Sequence, residues 1–414
     1  MTKMRKLSRF ERIYTKIAKN YVRYHPKYSF KFFFDDIEYH QIGNSKEIVE
    51  VRFMNSRNTI KRILTEGSMA LGETYCEGLI QVDDKDYKKY LDISVRTYFD
   101  TKLMFSLPLL DIFKIARAKF AGKFFSFKDQ HENINSHYSL SNWFENRDDS
   151  NKFYMYWLNS KYVQYTCAKW DPETKSLEKA QETKLHYYAK RLGIDKNSKG
   201  KTVLDLGCGW GGFIFFLAEK YGMKCKGITL STAQAEYIQK EIKKRKLQKL
   251  VTVDNINAHD MYGTYDYIVS VGLLEHIDNY NDLFKKTYNH LAPEGSALFH
   301  AMFTESIFYK SDPFLLKYIF PGGATPNINK CIRVFKKYFK EVHEENLPDL
   351  SYPRTLDCWY EKFCKNQDKI RKLLEQKSKC QDIDYAIRIF KHYLVLASCG
   401  LSIHNNVFNI AVKK

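Results

Sequence analysis

The stretch TVLDLGCGWGG at residues 202–212 decides the predicted fold. Its first half has the apolar character of a buried β-strand. Gly207, Gly209 and Gly211 follow with one residue between each pair, and an apolar run then begins at Phe213. A strand that leads through a glycine-rich turn into a helix is the opening unit of a parallel α/β sheet.

Outward from this stretch, short apolar runs alternate with segments of helical character. The runs are TVLDLGC (202–208), CKGITL (225–230), VTVDNI (251–256), YDYIVSVG (265–272) and SALFHAMF (296–303). This alternation of strands and helices predicts an α/β fold with a doubly wound, mostly parallel sheet.

The glycine-rich turn predicts a nucleotide-type ligand. Glycine lets the backbone turn tightly and approach a ligand that a Cβ would block. The spacing differs from the usual dinucleotide and triphosphate patterns. Asp205, at the strand end, is suited to the ammonium group of S-adenosylmethionine, which favours a methyltransferase. A purely structural glycine turn is the alternative.

The second predicted strand lacks a feature that is usual in methyltransferases. That strand commonly ends in an acid that binds the ribose, whereas CKGITLSTAQ (225–234) contains no acid. Thr229 and Gln234 are therefore expected to supply the polar contacts to the cofactor.

Charge and composition narrow the partners and the compartment. The 414 residues include 67 Lys and Arg against 48 Asp and Glu, a net charge of +19, which predicts an anionic partner such as nucleic acid or a membrane surface. No apolar stretch reaches the roughly 18 residues that span a bilayer, and the basic N-terminus lacks the apolar stretch of a secretory signal. The nine cysteines form no CxxC pair, so we expect no disulfide framework and no metal site, in a cytoplasmic protein.

Composition also divides the chain into three parts. Residues 1–125 are expected to form a basic N-terminal domain that binds lipid or a membrane; residues 1–34 alone carry ten Lys or Arg against one acid. Residues 98–127 have apolar and basic residues at helical spacing, which predicts either a basic amphipathic helix or a core helix. Residues 126–150 are polar and are expected to be a linker region, and 151–414 to form an S-adenosylmethionine-dependent catalytic domain.

Nine segments give the chain a resemblance to cyclopropane-fatty-acyl-phospholipid synthases, in the superfamily of the mycolic acid cyclopropane synthases. In family order they are EGSMALGETYCEG (66–78), HYSLSN (137–142), QYTCAKW (164–170), VLDLGCGWGG (203–212), GITLSTAQ (227–234), VGLLEHI (271–277), FHAMF (299–303), DPFLLKYIFPGG (312–323) and WYEKF (359–363). The first and the eighth are more specific than the glycine-rich turn.

The resemblance implies a Rossmann-like class I methyltransferase sheet with a smaller N-terminal mixed α+β lipid-binding domain. It implies transfer of a methylene group from S-adenosylmethionine to the cis double bond of an unsaturated acyl chain of a membrane phospholipid. The product is a cyclopropane fatty acyl chain. The resemblance further implies a cytoplasmic protein that associates peripherally with an anionic membrane surface. A homodimer is compatible with the resemblance.

The resemblance also assigns site residues. In addition to Asp205, it implies cofactor contacts for Tyr165, Thr166, Gly207, Gly209, Thr229 and Gln234. A bound bicarbonate is the implied base, and its holders match Cys167, Glu275, His300 and Tyr360, with the backbone at Met302. Taken without the family, these four side chains are also compatible with ordinary core or helix-terminal roles, and a histidine in an apolar strand such as His300 is more often a core residue.

The chemistry explains the need for such a set. An alkene is a weak nucleophile, and its attack on a sulfonium methyl leaves a carbocation, so water must be excluded. A ring closes only when a base removes a proton from the new methyl group. Bicarbonate beside Glu275 requires a proton on one of the two, because adjacent anions repel. Tyr154, Trp170, Phe303 and Phe320 are candidates for stabilising the cation with their ring faces.

Departures from the family pattern leave alternatives open. Ser139 and Ser141 replace an acid and a glycine of the family, and a polar insertion follows at about residues 143–151. The same site could give a methyl-branched or otherwise C-methylated chain. A small-amine N-methyltransferase, an RNA methyltransferase and an inactive lipid-binding protein are further alternatives. No RNA-binding motif is visible, so we predict no nucleic-acid partner.

Overall fold

The computed structural model describes residues 6–38, 41–99, 143–144, 146–158, 161–306, 311–347, 350–401 and 407–414. The chain divides into two compact units. The first takes residues 1–126, 312–318 and 381–403, and the second takes 127–311, 319–380 and 404–414. The sequence predicts a continuous catalytic domain at 151–414, and this division differs from that prediction because two later segments belong to the first unit.

The described helices and strands are named in chain order. The helices are α1 Arg9–Tyr24, α2 Ser56–Glu66, α3 Ser68–Cys76, α4 Asp84–Phe99, α5 Arg147–Met155, α6 Leu177–Arg191, α7 Gly212–Tyr221, α8 Thr232–Lys244, α9 Tyr280–His290, α10 Pro313–Tyr318, α11 Ile328–Tyr338, α12 Ser351–Lys365, α13 Gln367–Lys377 and α14 Ile383–Leu401. The strands are β1 Ser29–Phe34, β2 Ile37–Glu38, β3 Ile48–Phe53, β4 Ile80–Gln81, β5 Thr202–Leu206, β6 Lys224–Ile228, β7 Val251–Asp254, β8 Tyr265–Val271, β9 Leu291–Met302, β10 Glu341–Asn346 and β11 Val407–Lys413.

The first unit contains a four-stranded sheet in the order β2-β1-β3-β4, in which β1 and β3 are parallel. Phe30, Phe32 and Phe34 of β1 are buried. Phe53 of β3 stacks on Phe34 with ring centroids 5.6 Å apart, and Tyr14 of α1 meets the edge of Phe53 at 5.4 Å. The aromatic residues that the sequence interleaves with cations therefore form the core of a mixed α+β unit.

The family segment at residues 66–78 forms α3 and packs inside the first unit. A Cβ at Gly72 would lie 2.8 Å from Nε2 of His392 and would overlap the ring of Phe314. His392 is fully buried, and its Nδ1 lies 2.5 Å from the hydroxyl of Tyr87. Gly72 has a helical backbone, so close packing and not an unusual φ requires a glycine here.

The second unit is built on a seven-stranded sheet in the order β10-β11-β9-β8-β5-β6-β7. The five neighbouring strands β9, β8, β5, β6 and β7 pair in parallel, and β11 runs antiparallel to both β9 and β10. Val203 and Leu204, adjacent on β5, belong to two separate clusters of buried hydrophobic residues. Both faces of the sheet are therefore covered, and the predicted doubly wound α/β fold is confirmed.

Several predictions lie wholly or partly outside the described residues. These are the part of the 98–127 helix beyond residue 99, most of the linker, and the HYSLSN segment with Ser139 and Ser141. The polar insertion includes the start of α5, where Asn146 accepts a hydrogen bond from the backbone N of Asp148 at 2.9 Å. In the described part of the chain, no helix is long and apolar enough to cross a membrane.

Candidate active site

β5 ends in the glycine-rich turn, and the turn leads into α7. Gly207, Gly209 and Gly211 have φ angles of 74°, 56° and 77°, which side chains with a Cβ rarely adopt. Apart from Gly209 and its two chain neighbours, no described residue has an atom within 4 Å of the place where a Cβ of Gly209 would be. The backbone at this glycine is therefore accessible to a ligand.

A pocket lies at the carboxyl ends of β5, β6 and β8, where doubly wound sheets usually bind their ligands. It encloses about 970 Å³ that no atom fills, including space open to solvent. Every residue predicted to contact the cofactor lines this pocket: Tyr165, Thr166, Asp205, Gly207, Gly209, Thr229 and Gln234. The fold thus brings the expected set into one cavity.

Asp205 places a carboxylate oxygen at this pocket that has no partner among the described residues. The residue is 3% exposed, and its Oδ1 atom is buried with no hydrogen bond from any residue that the structure describes. Burial raises the pKa of the Asp205 carboxyl to about 7, because the charged form loses its solvation. A ligand ammonium would satisfy this oxygen, so the pocket fits the amino-acid end of S-adenosylmethionine.

Thr229 and Gln234, the expected substitutes for the missing acid, are bonded to each other. The Thr229 hydroxyl donates to Gln234 Oε1 at 2.8 Å and accepts from the backbone N of Ser231 at 3.1 Å. Asn255 donates to the Thr229 carbonyl at 2.7 Å. Since Gln234 Oε1 accepts from Thr229, the amide nitrogen of Gln234 is the end suited to donate to a ligand hydroxyl.

Aromatic side chains surround Tyr165. The rings of Trp157, Trp359 and Tyr154 lie 5.3, 5.4 and 5.6 Å from the Tyr165 ring, and Trp210 lies at 6.4 Å. Such a group of rings presents a large apolar surface and restricts the entry of water. Tyr154, an expected cation-stabilising residue, therefore contacts the pocket lining.

The other aromatic candidates have different surroundings. The guanidinium of Arg354 lies 3.9 Å from the Trp170 ring centroid, so one face of Trp170 is already occupied by a cation. Phe303 is buried. Phe320 lies 6.4 Å from the ring of His276, which lines the pocket. Phe320 is thus the second candidate that contacts the pocket lining.

Cys167 is buried in a segment that α12 holds in place. The backbone N of Ala168 and the indole nitrogen of Trp170 both donate to Thr355 Oγ1, at 3.1 and 3.0 Å. Burial raises the pKa of the Cys167 thiol to about 12. At neutral pH it is a thiol and not a nucleophilic thiolate, and it belongs to a small apolar cluster against which Met302 packs.

Glu275 lies in a 3₁₀ turn after β8 and contacts the end of β9. Its Oε1 accepts from the backbone N of Met302 at 2.7 Å, whereas Oε2 is buried without a partner within the described ranges. Burial raises the pKa of the Glu275 carboxyl to about 7. Near neutral pH this carboxyl can carry a proton, so it fits a position beside a bound anion.

His300 lies on β9, two residues before Met302, and faces β11. Its Nδ1 lies 2.9 Å from Oδ1 of Asn409. Nδ1 therefore donates to the amide oxygen, and Nε2 is the acceptor atom of the ring. Burial lowers the pKa of His300 to about 3, so the ring is neutral at physiological pH.

The structure connects some of the four implied anion holders more closely than others. Glu275 accepts from the backbone N of Met302, Met302 packs against the apolar cluster that contains Cys167, and His300 lies on the same strand as Met302. Tyr360 is half-buried on α12, the helix that holds the Cys167 segment. Of the described residues that line the pocket, none belongs to this set. The Met302 N–H, expected to bind the anion, is bonded to Glu275 instead; the catalytic roles stay predictions.

The sequence profile of the family described as Mycolic acid cyclopropane synthetase matches residues 125–410. The chain belongs to this family. Among curated proteins, the cyclopropane-fatty-acyl-phospholipid synthase of Escherichia coli (strain K12) is 29% identical over 360 residues, 85% of this chain and 84% of that protein. The (S)-coclaurine N-methyltransferase of Thalictrum flavum subsp. glaucum is 29% identical over 232 residues, 52% of this chain and 61% of that protein.

Solved structures of the mycolic acid cyclopropane synthetase family and its neighbours share the fold. The cyclopropane synthase MmaA2 from Mycobacterium tuberculosis has a TM-score of 0.60 and 25% identity, over 70% of this chain and 100% of that chain. A coclaurine N-methyltransferase structure has a TM-score of 0.58 and 22% identity, over 83% of this chain and 98% of that chain. The resemblance predicted from the sequence is confirmed, and the chain is an S-adenosylmethionine-dependent methyltransferase with a class I sheet.

In this member of the family, the sequence analysis did not assign three residues at or near the site. Trp210 and His276 line the pocket, and both lie inside family segments, so the strand-end argument could have included them. Burial lowers the pKa of His276 to about 4. Lys184 is fully buried on α6, and no motif indicates this, because a lysine in a helix is normally exposed.

Proposed function

We propose that this methyltransferase transfers a methylene group from S-adenosylmethionine to the cis double bond of an unsaturated acyl chain of a membrane phospholipid, giving a cyclopropane chain. The observation that carries the proposal is the extent of the match to the E. coli synthase, 85% of this chain and 84% of that protein. A match of this length cannot fit after residue 125. It therefore includes part of the N-terminal region, which the proposal assigns to lipid binding.

A small-amine N-methyltransferase is the second candidate. The solved coclaurine N-methyltransferase covers 83% of this chain by structure, although the curated plant relative covers 52% of it by sequence. Both candidates use the same cofactor pocket, so the product and not the pocket distinguishes them.

The pocket at the glycine-rich turn is the proposed cofactor site. S-adenosylmethionine supplies an electrophilic methyl group on a sulfonium when bound. Asp205 would pair with its ammonium, since one carboxylate oxygen lacks a partner among the residues described. Gln234, oriented by Thr229, would donate to a ribose hydroxyl, and Gly209 lets the backbone approach closely.

The aromatic group around Tyr165 is proposed to exclude water from the reacting acyl chain. The positive charge left on the chain after alkylation would otherwise react with water. A ring face also stabilises a positive charge, by about 0.5–2 kcal/mol. Tyr154 and Phe320 are assigned this role because each contacts a residue of the pocket lining.

A bound bicarbonate is the proposed base, which removes the proton from the new methyl group. Glu275 would hold it through Oε2, which has no other partner in the described part of the unit. A proton on Glu275 would prevent repulsion between the two groups. His300, neutral and oriented by Asn409, would accept a hydrogen bond at Nε2. Cys167 and Tyr360 keep their roles from the family.

The first unit is proposed to bind an anionic membrane surface from the cytoplasm. Four cations of α1 are exposed, and their spacing places them in one stripe along the helix: Arg12, Lys16, Lys19 and Arg23. Each cation near an anionic bilayer contributes about 1 kcal/mol. Peripheral binding by this basic stripe, in a homodimer that presents two of them, is part of the proposal.

The test is a direct product assay. Full-length protein is incubated with S-adenosylmethionine, bicarbonate and vesicles of an anionic phospholipid with cis-unsaturated chains; vesicles with saturated chains are the control. We expect acyl chains heavier by one CH₂ group and the upfield proton signals of a cyclopropane ring. The added mass without ring protons would indicate a branched chain. Methylation of a benzylisoquinoline amine with no lipid product would replace the proposal by the second candidate.

A further inference from the structure

Lys184 is a buried cation beside the proposed cofactor pocket. It is 0% exposed, and its ammonium donates to Thr166 Oγ1 at 2.6 Å. Within the described ranges, no carboxylate lies at ion-pair distance from it. Burying a charge without a counter-charge is costly, and burial lowers the pKa of Lys184 to about 7. A position this unfavourable suggests a use that outweighs the lost stability.

The bond from Lys184 determines which way Thr166 can donate. In its charged form Lys184 has donors only, so Oγ1 of Thr166 is then the acceptor, and the hydroxyl proton must point to another group. Thr166 lines the pocket. Its methyl group lies 3.0 Å from the place where a Cβ of residue 272 would be, so a side chain at Gly272 would crowd Thr166. The proton of Thr166 is thus available to a ligand acceptor.

A second side chain of α6 holds the backbone of the same residue. Gln181, one turn before Lys184, donates through Nε2 to the Thr166 carbonyl at 3.0 Å. Residues three apart lie on one helix face, so α6 fixes both the backbone and the hydroxyl of Thr166. Two independent contacts from one helix indicate that the position of Thr166 matters.

The amino-acid end of the cofactor needs two complementary groups, one for its ammonium and one for its carboxylate. Asp205 is suited to the ammonium, as shown by its oxygen without a described partner. A hydroxyl donor polarised by a cation is suited to the carboxylate, because hydrogen bonds to charged groups are stronger than neutral ones. Thr166 with Lys184 provides such a donor on the same pocket.

We propose that Lys184 is a positioning residue, which acts through Thr166 to bind the carboxylate of S-adenosylmethionine. The inference rests on the proposed placement of the cofactor, and it adds a residue that is neither in the pocket lining nor in the implied set. No direct contact between Lys184 and the cofactor is required.

The test measures equilibrium binding of S-adenosylhomocysteine by calorimetry, without turnover. Lys184→Met keeps the apolar stem and removes the charge and the donors; Thr166→Val keeps the shape and removes the hydroxyl. Each is expected to raise Kd about 10-fold, and the double variant no more than about 2-fold beyond either single variant. Lys391→Met is the matched control, since Lys391 is a buried lysine paired with Asp84 in the other unit, and its Kd should match the wild type.

Four results would overturn the inference. They are a wild-type Kd in Lys184→Met, additive effects of the two single variants, an equal loss in the Lys391 control, and absence of an effect of Asp205→Asn, which would place the ligand elsewhere. If Lys184→Met does not fold, Lys184→Gln keeps a donor without the charge and should fall between wild type and Thr166→Val. Lack of lipid methylation with intact binding would refute the proposed substrate alone.

Discussion

Replacing Asp205 by Asn is expected to stabilise the ligand-free protein above neutral pH and to weaken cofactor binding. Burial raises the pKa of the Asp205 carboxyl from its ordinary 3.8 to about 7, so ionisation is less favourable in the folded protein than in the unfolded chain. The wild type therefore loses stability as the pH rises from about 4 to about 7, and the loss persists above pH 7. Asparagine has no charge to desolvate, and it avoids this loss.

The magnitude follows from the size of the pKa change. A rise of about three pH units at about 1.4 kcal/mol each gives an upper limit of about 4 kcal/mol. The side-chain amide of asparagine places a polar atom at the position of Oδ1, which has no partner within the described residues. Leaving this buried polar atom without a hydrogen bond costs about 1–3 kcal/mol. A net gain of about 1–3 kcal/mol is expected at pH 8. Near pH 4 the wild-type carboxyl is protonated in the folded protein and loses little stability, so the variant is expected to be less stable there by about 1–3 kcal/mol.

The assay compares the Tm of ligand-free wild type and Asp205→Asn from pH 4 to pH 8. Glu275 titrates in the same pH range in both proteins, so its contribution cancels when the Tm of the wild type is subtracted from that of the variant. Added S-adenosylhomocysteine should raise the Tm of the wild type by more than that of the variant. As a control, Asp266→Asn alters a carboxylate that accepts from the backbone N of Thr202 at 2.8 Å, and it should destabilise the protein. A variant less stable than wild type at pH 8, or a difference independent of pH, would show that Asp205 carries no unpaired buried charge.

Three further predictions address the packing, the proposed base and the membrane stripe. Gly72→Ala should destabilise the first unit by about 1–3 kcal/mol because of overpacking. Gly400 is helical and has no described neighbour within 4 Å, so Gly400→Ala should stabilise the unit by about 0.5–1 kcal/mol. Denaturant titration measures the free energy of unfolding of both variants, and equal effects would contradict the packing argument. Glu275→Gln keeps an acceptor for Met302 and cannot ionise. At saturating cofactor the wild-type rate should decline between pH 7 and pH 8.5, whereas the rate of Glu275→Gln should not, and Glu275→Ala should lose at least about 100-fold in rate. Identical pH profiles of the wild type and Glu275→Gln would exclude a titrating role. Reversing Lys16 and Lys19 to Glu should weaken binding to anionic vesicles by at least about 10-fold in sedimentation assays, with turnover of detergent-dispersed lipid unchanged, and undiminished binding would place the membrane contact elsewhere.

Much of the second unit's sheet is readable in the sequence, because its strands alternate with helices. The runs at 202–208, 225–230, 251–256, 265–272 and 296–303 became the five parallel strands. The insertion of β11 between β9 and β10 was not predicted, since antiparallel strands late in a chain carry no signal for their place in a sheet. The sequence analysis also did not predict that α10 and α14 belong to the first unit. Composition divides a chain into consecutive segments, and it does not show which segments contact each other in the fold.

The site was predictable where one residue type serves one purpose. A glycine at positive φ and a strand-end carboxylate are local requirements, so Gly209 and Asp205 could be assigned from the pattern alone. Lys184 could not, because its burial depends on how α6 packs in the folded protein. The pairing of the Met302 N–H with Glu275 also depends on how two strand ends approach one another, which the spacing of the segments does not define.

The family segment DPFLLKYIFPGG meets two separate physical requirements along one stretch of chain. Its first half, 312–318, belongs to the first unit, where Asp312 bonds to Ser68 and Lys317 pairs with Glu73 at 2.7 Å. Its second half belongs to the second unit, where the backbone N of Ala324, just beyond it, donates to the Glu275 carbonyl at 2.8 Å. The first half is therefore constrained by packing around α3, and the second by the turn that positions a proposed catalytic carboxylate. A substitution in the first half is therefore expected to disturb the packing around α3, and one in the second half the position of Glu275.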